Sequence, residues 1–328
     1  MIRERMRVLY HHDGAIDEYM ALVLLATMDT VELTGTVIIN ADCVDGPAMD
    51  TNWKLQGFLG LEAMPVGLSA ATGWNPFPWE YRSDCVRQGE VEILRPFPIN
   101  AAWPPFPDGE AVTRQVLADA LKAGRTVTVL VNSPLKALQM VLAREPELAR
   151  AIERIVCMGG AIDIPGNLDP TTLPVQVANP TAEWNIFWDP DSVDWMLRNT
   201  TCPITLFPLN VTNQVPVSTA FMTELLKRRA FDYARLALQS YTLVRSQPFY
   251  SMWDVTAACY LTRPELFQIE PMTLSVETTG FSQGTLVRDP AGRKVDVAMT
   301  FQSGGADALY QYVLDQFTRN RGHAGVMV

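Results

Sequence analysis

Strand-like apolar runs alternate with helix-like segments along most of the chain. The apolar run at residues 8–10 leads into a predicted buried helix at 15–28, and a second strand is predicted at 31–40. Further strands, rich in β-branched residues, are predicted at 126–131 and 152–158. Strands that alternate with helices are typical of a mainly parallel sheet with helices on both faces.

The pattern changes towards the C-terminus. Three short runs resemble antiparallel strands, at residues 272–278, 284–288 and 294–301, and a closing helix is predicted at 306–318. The other predicted elements are a strand at 204–209 and helices at 111–123, 134–144, 191–198, 217–228, 231–245 and 254–261. Because repeats, low-complexity tracts and linkers are missing from the sequence, we predict one α/β domain over residues 1–328, with short antiparallel strands near its C-terminus.

Composition and charge narrow the class of partner. The chain has 328 residues, 48% of them hydrophobic, and a formal net charge of −10. An acidic chain whose longest basic run is 227–229 is not expected to bind a nucleic acid polymer. A small neutral ligand or a cation fits the acidic charge better than a nucleic acid does. Five separated cysteines without a CxxC pair, and a charged N-terminus without a signal-like apolar stretch, predict a cytoplasmic protein with no membrane association.

An acidic motif stands where the first predicted strand ends. The segment His11-His12-Asp13-Gly14-Ala15-Ile16-Asp17-Glu18 places three acids within six residues. Ligands of open α/β sheets bind at the carboxyl ends of the strands. Carboxylate oxygens in such a cluster suit a hard cation such as Ca²⁺, although acids in a first helical turn also stabilise a helix by themselves.

Three further pieces carry polar residues that could meet this motif. Asp254 opens a late apolar helix, and the paired glycines of Met158-Gly159-Gly160-Ala161 precede Asn167. Glu183 and Asn185 alternate with apolar residues, so in an extended segment they would share one face and could bind a polyhydroxyl ligand. Taken singly, these features are equally compatible with a helix cap, a tight turn and a solvated strand edge.

In this order and at this spacing, the four pieces together resemble the nucleoside hydrolase family. Asn132 with Ser133-Pro134-Leu135, and the segment Leu209-Asn210-Val211-Thr212-Asn213-Gln214, are similar to further family motifs. The resemblance spans roughly residues 7–318. It implies calcium-dependent hydrolysis of the N-glycosidic bond of a ribonucleoside to free base and ribose, by a homodimer or homotetramer.

The resemblance also implies a role for each matching residue. Calcium would be held by Asp13, Glu18, Asp254 and the backbone carbonyl of Asn132, together with two ribose hydroxyls and a water for which Asp13 is the general base. Asp17 would hold the 2′-hydroxyl. The 5′ side of the ribose would contact Asn167, Glu183 and Asn185, with Asn40 as a further sugar contact, and Asp254 would face substrate as well as metal.

The chain departs from the family pattern at several positions, including Gly14-Ala15, which replace Pro-Gly. His11 replaces an Asp, Glu18 replaces another, and Trp253 stands where many relatives have a His. An indole cannot protonate a leaving base, so a preference for an unusual or modified nucleoside is predicted. The candidate base-stacking residues are Trp253, Trp184, Phe249 and Tyr250, and the candidate donors are Tyr241, Arg245 and Gln247. His11 and His12 are expected to be structural partners of the acidic site, whereas Trp188 and Trp195 are expected in the core and His323 lies in the tail.

Two functions of other classes fit parts of the sequence. The segment His11-His12-Asp13-Gly14 superficially resembles the loop of haloacid dehalogenase-type phosphohydrolases, but His11 stands where their nucleophilic Asp is needed. The second alternative is a catalytically altered nucleoside-binding protein on the same fold, which the departures at His11, Glu18 and Trp253 would favour. The retained acids and amides favour an enzyme.

Overall fold

A computed structural model describes residues 4–77, 79, 81–99, 105–168, 171, 173 and 179–320. Within these residues, nine strands form one sheet in the order β3-β2-β1-β4-β5-β6-β9-β7-β8. The strands are β1 (Met6–His12), β2 (Val31–Ile38), β3 (Val66–Leu68), β4 (Val127–Asn132), β5 (Ile152–Met158), β6 (Ile204–Phe207), β7 (Phe267–Val276), β8 (Leu286–Arg288) and β9 (Arg293–Phe301).

The predicted fold class is confirmed. Strands β1 to β6 and β9 pair in parallel, and β7 pairs antiparallel with β8 and β9. Twelve helices lie in the described part of the chain: α1 (Ile16–Thr27), α2 (Asp45–Leu59), α3 (Asp84–Gly89), α4 (Gly109–Lys122), α5 (Lys136–Arg144), α6 (Trp184–Trp188), α7 (Pro190–Asn199), α8 (Leu209–Thr212), α9 (Thr219–Lys227), α10 (Asp232–Thr242), α11 (Trp253–Tyr260) and α12 (Gly305–Phe317).

Both faces of the central strands are buried. In β1, Val8 and Tyr10 belong to the core shared with α1, α10 and α11, whereas Leu9 belongs to the core shared with α4, α5 and α7. In β5, Val156 belongs to the first of these cores and Ile155 to the second. Successive side chains of a strand point to opposite faces, so a strand covered on both sides is apolar throughout. This explains why β1 and β4 were recognisable as continuous apolar runs.

Helix α2 was not predicted. Its apolar residues Met49 and Phe58 are buried, but so are the polar residues Thr51, Asn52 and Gln56. Their side chains bond to groups of other elements; for example, the Gln56 amide donates to the Met64 carbonyl at 2.8 Å. Because polar side chains occupy buried positions, the helix has no apolar stripe that a sequence pattern could reveal.

The remaining features concern the cysteines and the length of the helices. All five cysteines are buried and unpaired, at Cys43, Cys85, Cys157, Cys202 and Cys259. Among the described helices, none combines the length and the apolar character needed to span a bilayer.

Candidate active site

A cavity of about 310 Å³ opens at the carboxyl edge of the parallel strands. Asp13 follows β1, Asp42 follows β2, and Met158 ends β5. The first residues of α1, α6 and α11 complete the wall. The lining residues are Asp13, Ala15, Glu18, Asp42, Phe77, Tyr81, Asp84, Met158, Asn167, Glu183, Trp184, Asn185, Gln247, Pro248, Phe249, Tyr250, Trp253 and Asp254. This is the place where open parallel sheets bind their ligands.

Asp13 and Glu18 lie side by side in the cavity. Asp13 Oδ2 accepts a hydrogen bond from the Asp42 backbone N–H at 3.2 Å. Burial raises the pKa of Asp13 to about 6, while its side-chain hydrogen bond with Glu18 and the backbone bonds lower it. Burial also raises the pKa of Glu18 well above its ordinary value, and the charges of Asp254 and Asp13 add to this. The two carboxyl groups are therefore unstable as bare neighbouring anions.

Asp17 does not line the cavity. Its carboxylate accepts hydrogen bonds from the Tyr241 hydroxyl at 2.6 Å and from the backbone N–H groups of Asp254 at 2.6 Å and Val255 at 3.0 Å. The side chain is fully buried against the start of α11. The structure thus places Asp17 behind the wall of the cavity, bonded to the first turn of α11.

Asn132 lies behind the cavity wall and is bonded to Asp254. Asn132 ends β4, and its amide donates to the Asp254 carbonyl and to the Tyr10 hydroxyl, each at 3.2 Å. Asp254 itself lines the cavity, and burial raises its pKa well above the ordinary value, with the charges of Asp17 and Asp13 adding to this. The structure thus brings Asp13, Glu18 and Asp254 to one cavity, with Asn132 bonded to the last.

The donor chemistry of this group fits a hard cation. Asp13 Oδ1, Asn132 Oδ1 and Asp254 Oδ1 are buried and have no hydrogen-bond donor. Buried acceptors without partners are costly unless a proton or a cation satisfies them. In the part of the chain that the structure describes, however, no three Asp, Glu, His or Cys side chains are already arranged around one metal position.

The prediction of an extended segment at Glu183 and Asn185 is wrong. Glu183 instead caps helix α6: its carboxylate accepts from the N–H groups of Asn185 at 2.9 Å and Ile186 at 3.3 Å. Asn185, in the first helical turn, donates to the Met158 carbonyl at 3.2 Å. Both residues line the cavity nevertheless, because the first turn of α6 faces it. Burial raises the pKa of Glu183 to about 7.

Two glycines allow this arrangement. Gly160 has a φ of +90° and donates its N–H to Glu183 Oε2 at 2.9 Å. A Cβ atom at Gly166 would lie 1.9 Å from the Ala182 carbonyl oxygen. The close approach of these two chain segments brings Asn167 over α6, where its side-chain oxygen accepts from the Trp184 N–H at 3.2 Å. Asn167 also lines the cavity, as the sequence led us to expect.

Asn40, the further predicted sugar contact, lies beside Arg82. Its side-chain oxygen accepts a hydrogen bond from Arg82, and it is not among the residues that line the cavity. Asp42, two residues later, lines the cavity instead and has an unpartnered buried Oδ1. The sequence carried a signal for Asp42, because it follows the second strand as Asp13 follows the first.

Aromatic side chains also line the cavity. Trp253 lies edge-on to Tyr250 and Phe249, with ring centroids 4.8 and 5.9 Å away, and its Nε1 donates to Asn213 Oδ1 at 2.8 Å. Trp184 packs on Phe77 at 4.7 Å. The four predicted stacking residues therefore line one cavity together with Phe77 and Tyr81, which lie in a loop region that had no recognisable motif. Trp188 is buried, and Trp195 is half-buried against the core, as predicted.

Few of the candidate proton donors reach the cavity. Of the three that were predicted, Gln247 lines it, Tyr241 bonds to Asp17 behind the wall, and Arg245 is exposed and outside the lining. His11 Nε2 bonds to Thr113 at 3.1 Å and His12 Nε2 bonds to Asn52 at 3.3 Å.

The two histidines are thus structural, but their partners are neutral residues rather than the acids. Burial lowers the pKa of His11 to about 3 and that of His12 to about 4. His323 lies outside the described residues.

Comparison with known proteins gives the family. The profile of the inosine-uridine preferring nucleoside hydrolases matches residues 8–308. The non-specific ribonucleoside hydrolase RihC of Salmonella paratyphi A is 30% identical over 199 residues, which are 60% of this chain and 62% of that protein. RihC of Escherichia coli O127:H6 is 32% identical over 179 residues, 54% of this chain and 55% of that protein. The chain therefore spans less than two thirds of the length of these curated relatives.

Solved structures agree over a longer range. The inosine-uridine preferring nucleoside hydrolase of Bacillus anthracis superposes with a TM-score of 0.84 at 29% identity, covering 95% of this chain and 99% of that one. A purine-preferring ribonucleoside hydrolase from Gardnerella vaginalis, at 19% identity and a TM-score of 0.75 over 95% and 99% of the two chains, shares the fold. With a profile that matches most of its length and a fold that agrees over 95% of it, this chain belongs to the inosine-uridine preferring nucleoside hydrolase family.

Proposed function

We propose that this chain hydrolyses the N-glycosidic bond of a ribonucleoside to free base and ribose, with the help of calcium. One observation carries the proposal: a single cavity is lined both by acids and amides and by aromatic rings. A ribose needs hydrogen-bonding partners, and a heterocyclic base needs flat apolar surfaces. A nucleoside has both parts.

Asp13 is the proposed general base. Its pKa of about 6, raised by burial, lets it act as a base near neutral pH while retaining affinity for a proton. It would take a proton from the attacking water as the bond between the sugar and the base breaks. Glycoside hydrolysis passes through an oxocarbenium-like transition state, and the carboxylates of the cavity stabilise its developing positive charge.

The ribose would be held by Asn167, Glu183 and Asn185. All three line the cavity, and each is fixed by bonds to the backbone of α6 or β5. Rigid partners of this kind orient the sugar before reaction, which lowers the entropic cost of reaching the transition state. Asp17 would act on the sugar only through Asp254, whose helix it anchors.

The calcium ligands in this proposal are Asp13, Glu18, Asp254 and the backbone carbonyl of Asn132. The support is that Asp13 and Asp254 each have a buried carboxylate oxygen without a donor and share the cavity with the Glu18 carboxyl, and Ca²⁺ prefers such oxygen ligands. With the ion bound, the acidity of the attacking water is raised. His11, which replaces an acid of the family pattern, points to Thr113 on the other face of β1 and so does not enter this set.

A nucleoside panel with and without a calcium chelator tests the function. We expect release of free base and ribose, lost after chelation and restored by added calcium. Tight binding of nucleosides without any hydrolysis would favour the alternative, a catalytically altered binding protein. The cavity contains a candidate general base in Asp13, which favours the enzyme.

Three further properties belong to this proposal. The chain would act as one domain, since the nine strands form one sheet. It would work in the cytoplasm, where five unpaired cysteines stay reduced. A homodimer or homotetramer is carried over from the family resemblance, and light scattering of the purified protein tests it.

A further inference from the structure

The described lining of the cavity contains many acidic side chains and no basic one, although a departing neutral base needs a proton. Six carboxyl groups line it, those of Asp13, Glu18, Asp42, Asp84, Glu183 and Asp254, and the described lining includes no His, Lys or Arg. The internal segments outside the description, at 78, 80, 100–104, 169–170, 172 and 174–178, contain no His, Lys or Arg in their sequence. A basic side chain that could protonate a leaving base is therefore missing from these parts of the chain.

Two of the lining acids, Asp42 and Asp84, are not used by the proposed calcium site. Asp42 Oδ1 is buried and has no donor; burial raises the pKa of this acid well above its ordinary value, the charges of Asp13 and Asp84 add to this, and Arg82 partly offsets it. Asp84 bonds to Arg87 at 2.9 Å and still lines the cavity. A calcium ion held by Asp13, Glu18 and Asp254 would offset two of their three charges. One charge of this set remains, and an ionised Asp42 adds a second beside the ligand.

The aromatic rings suit a positive ligand as well as a flat one. Phe77, Tyr81, Trp184, Phe249, Tyr250 and Trp253 line the same cavity. Cations bind to the faces of such rings by cation–π attraction, which is strong where water is excluded, and aromatic cages recognise quaternary nitrogen in this way. Carboxylates beside the rings add Coulomb attraction of the same sign.

We infer that the preferred substrates are ribonucleosides whose base carries a fixed positive charge, such as N-alkylated purine ribosides and N-ribosylpyridinium compounds. This inference rests on the proposed function and names the substrate class of the same cavity. The carboxylates and aromatic rings recognise the charge in the ground state, and the same charge replaces the proton that a general acid would supply.

The chemistry balances without a proton donor. Water attacks C1′, and its proton passes to the general base. The electron pair of the breaking C1′–N bond moves into the heterocycle and cancels its positive charge, so the base departs neutral. A neutral nucleoside would instead release an anionic base, which must be protonated. General acid catalysis contributes about 10²–10⁴-fold where it operates.

The test compares matched substrates that differ by one methyl group. Initial rates of ribose release from inosine and 7-methylinosine, and from guanosine and 7-methylguanosine, are measured with the calcium-loaded protein at a pH low enough for the methylated bases to keep their N1–H proton, and are corrected for spontaneous hydrolysis. We expect kcat/KM to be about 100-fold or more higher for each methylated substrate. Asp42→Asn should reduce this ratio on the order of tenfold by removing one charge. Asp45→Asn, which removes a nearby acid outside the cavity lining, should leave the ratio unchanged.

The outcomes separate the inference from the function on which it rests. Equal efficiency on inosine and 7-methylinosine would overturn the inference while the proposed function stands. A preference for methylated substrates that is the same in Asp42→Asn as in the unmodified chain would show that the wall charge does not select them, and would also overturn it. Absence of ribose release from every nucleoside would overturn the proposed function, and the inference with it.

Discussion

The Asp17 carboxylate accepts a hydrogen bond from the backbone N–H of Asp254 at 2.6 Å, although the two residues are 237 positions apart. Asp17 lies in the first turn of α1, and Asp254 lies in the first turn of α11. The same carboxylate also accepts from Val255. A negative charge at the N-terminus of a helix stabilises it, so Asp17 fixes the position at which Asp254 enters the cavity.

Replacing Asp17 should therefore reduce the stability of the fold, and any effect on sugar binding should be indirect. Asp17→Asn removes the charge and turns an amide N–H₂ towards donors, with an expected loss of about 2–3 kcal/mol of unfolding free energy. Tyr241→Phe, which removes one of the three donors, should cost about 1 kcal/mol. Urea denaturation measures both. If Asp17→Asn unfolds like the unmodified chain, the anchoring role is wrong.

Calcium should stabilise the folded chain by mass action. Only the folded chain brings Asp13, Glu18 and Asp254 together, so calcium at about 100 times its dissociation constant adds roughly 2.7 kcal/mol and raises the melting temperature. Asp254→Ala should abolish this response. Glu62→Gln, a change of an exposed acid, serves as the control and should retain it. A full calcium response in Asp254→Ala would exclude the proposed ligand set.

A 2′-deoxyribonucleoside should be hydrolysed far more slowly than its ribonucleoside. The cavity contains buried polar groups that a ribose hydroxyl would complete, and removal of the hydroxyl leaves them without partners. We expect a ratio of kcat/KM of about 100 or more. Asp17→Asn should lower both rates while keeping the ratio, since Asp17 lies behind the wall. Equal turnover of the two substrates would contradict sugar recognition by this site.

Trp253 should control which base departs. Its ring lines the cavity, and its Nε1 is occupied by Asn213. Trp253→His introduces a group that can donate a proton near neutral pH, so hydrolysis of inosine should rise relative to 7-methylinosine. Trp253→Phe keeps an aromatic wall without a donor and should retain the preference of the unmodified chain. Efficient inosine hydrolysis by the unmodified chain, with no change in Trp253→His, would rule this out.

His11 should make the fold sensitive to acid. Burial lowers the pKa of His11 to about 3, whereas in the unfolded chain the imidazole takes up a proton near pH 6.5. The unfolded state therefore binds more protons as pH falls below 6.5, and stability is lost, by about 2 kcal/mol at pH 5 from this residue. His11→Gln can keep the contact with Thr113 and should lose less stability between pH 7.5 and 5. Buried carboxyls such as Asp13 act in the opposite direction, but equally in both proteins. Parallel curves for the two proteins would contradict this account.

The sequence by itself determined the sheet and the edge at which the site lies. Continuous apolar runs mark β1, β4 and β5 because both faces of these strands are buried. Polar residues directly after such runs must lie at the carboxyl edge of a parallel sheet. Asp13 and Glu18, which follow β1, were found in this way, whereas Asn167 and Asp254 were assigned by the resemblance to the nucleoside hydrolase family. Strand ends are local features, which a chain pattern records.

Only the tertiary structure decided which polar atoms face the cavity. Asp17 and Glu18 are neighbours, yet one faces the start of α11 and the other faces the cavity, because a helix turns by about 100° at each residue. Asn40 bonds to Arg82, whereas Asp42, two residues later, lines the cavity. The partners that decide these orientations are far away in sequence, so no local pattern contains them. The acids can be identified in the sequence, whereas long-range hydrogen bonds determine which of them face the cavity.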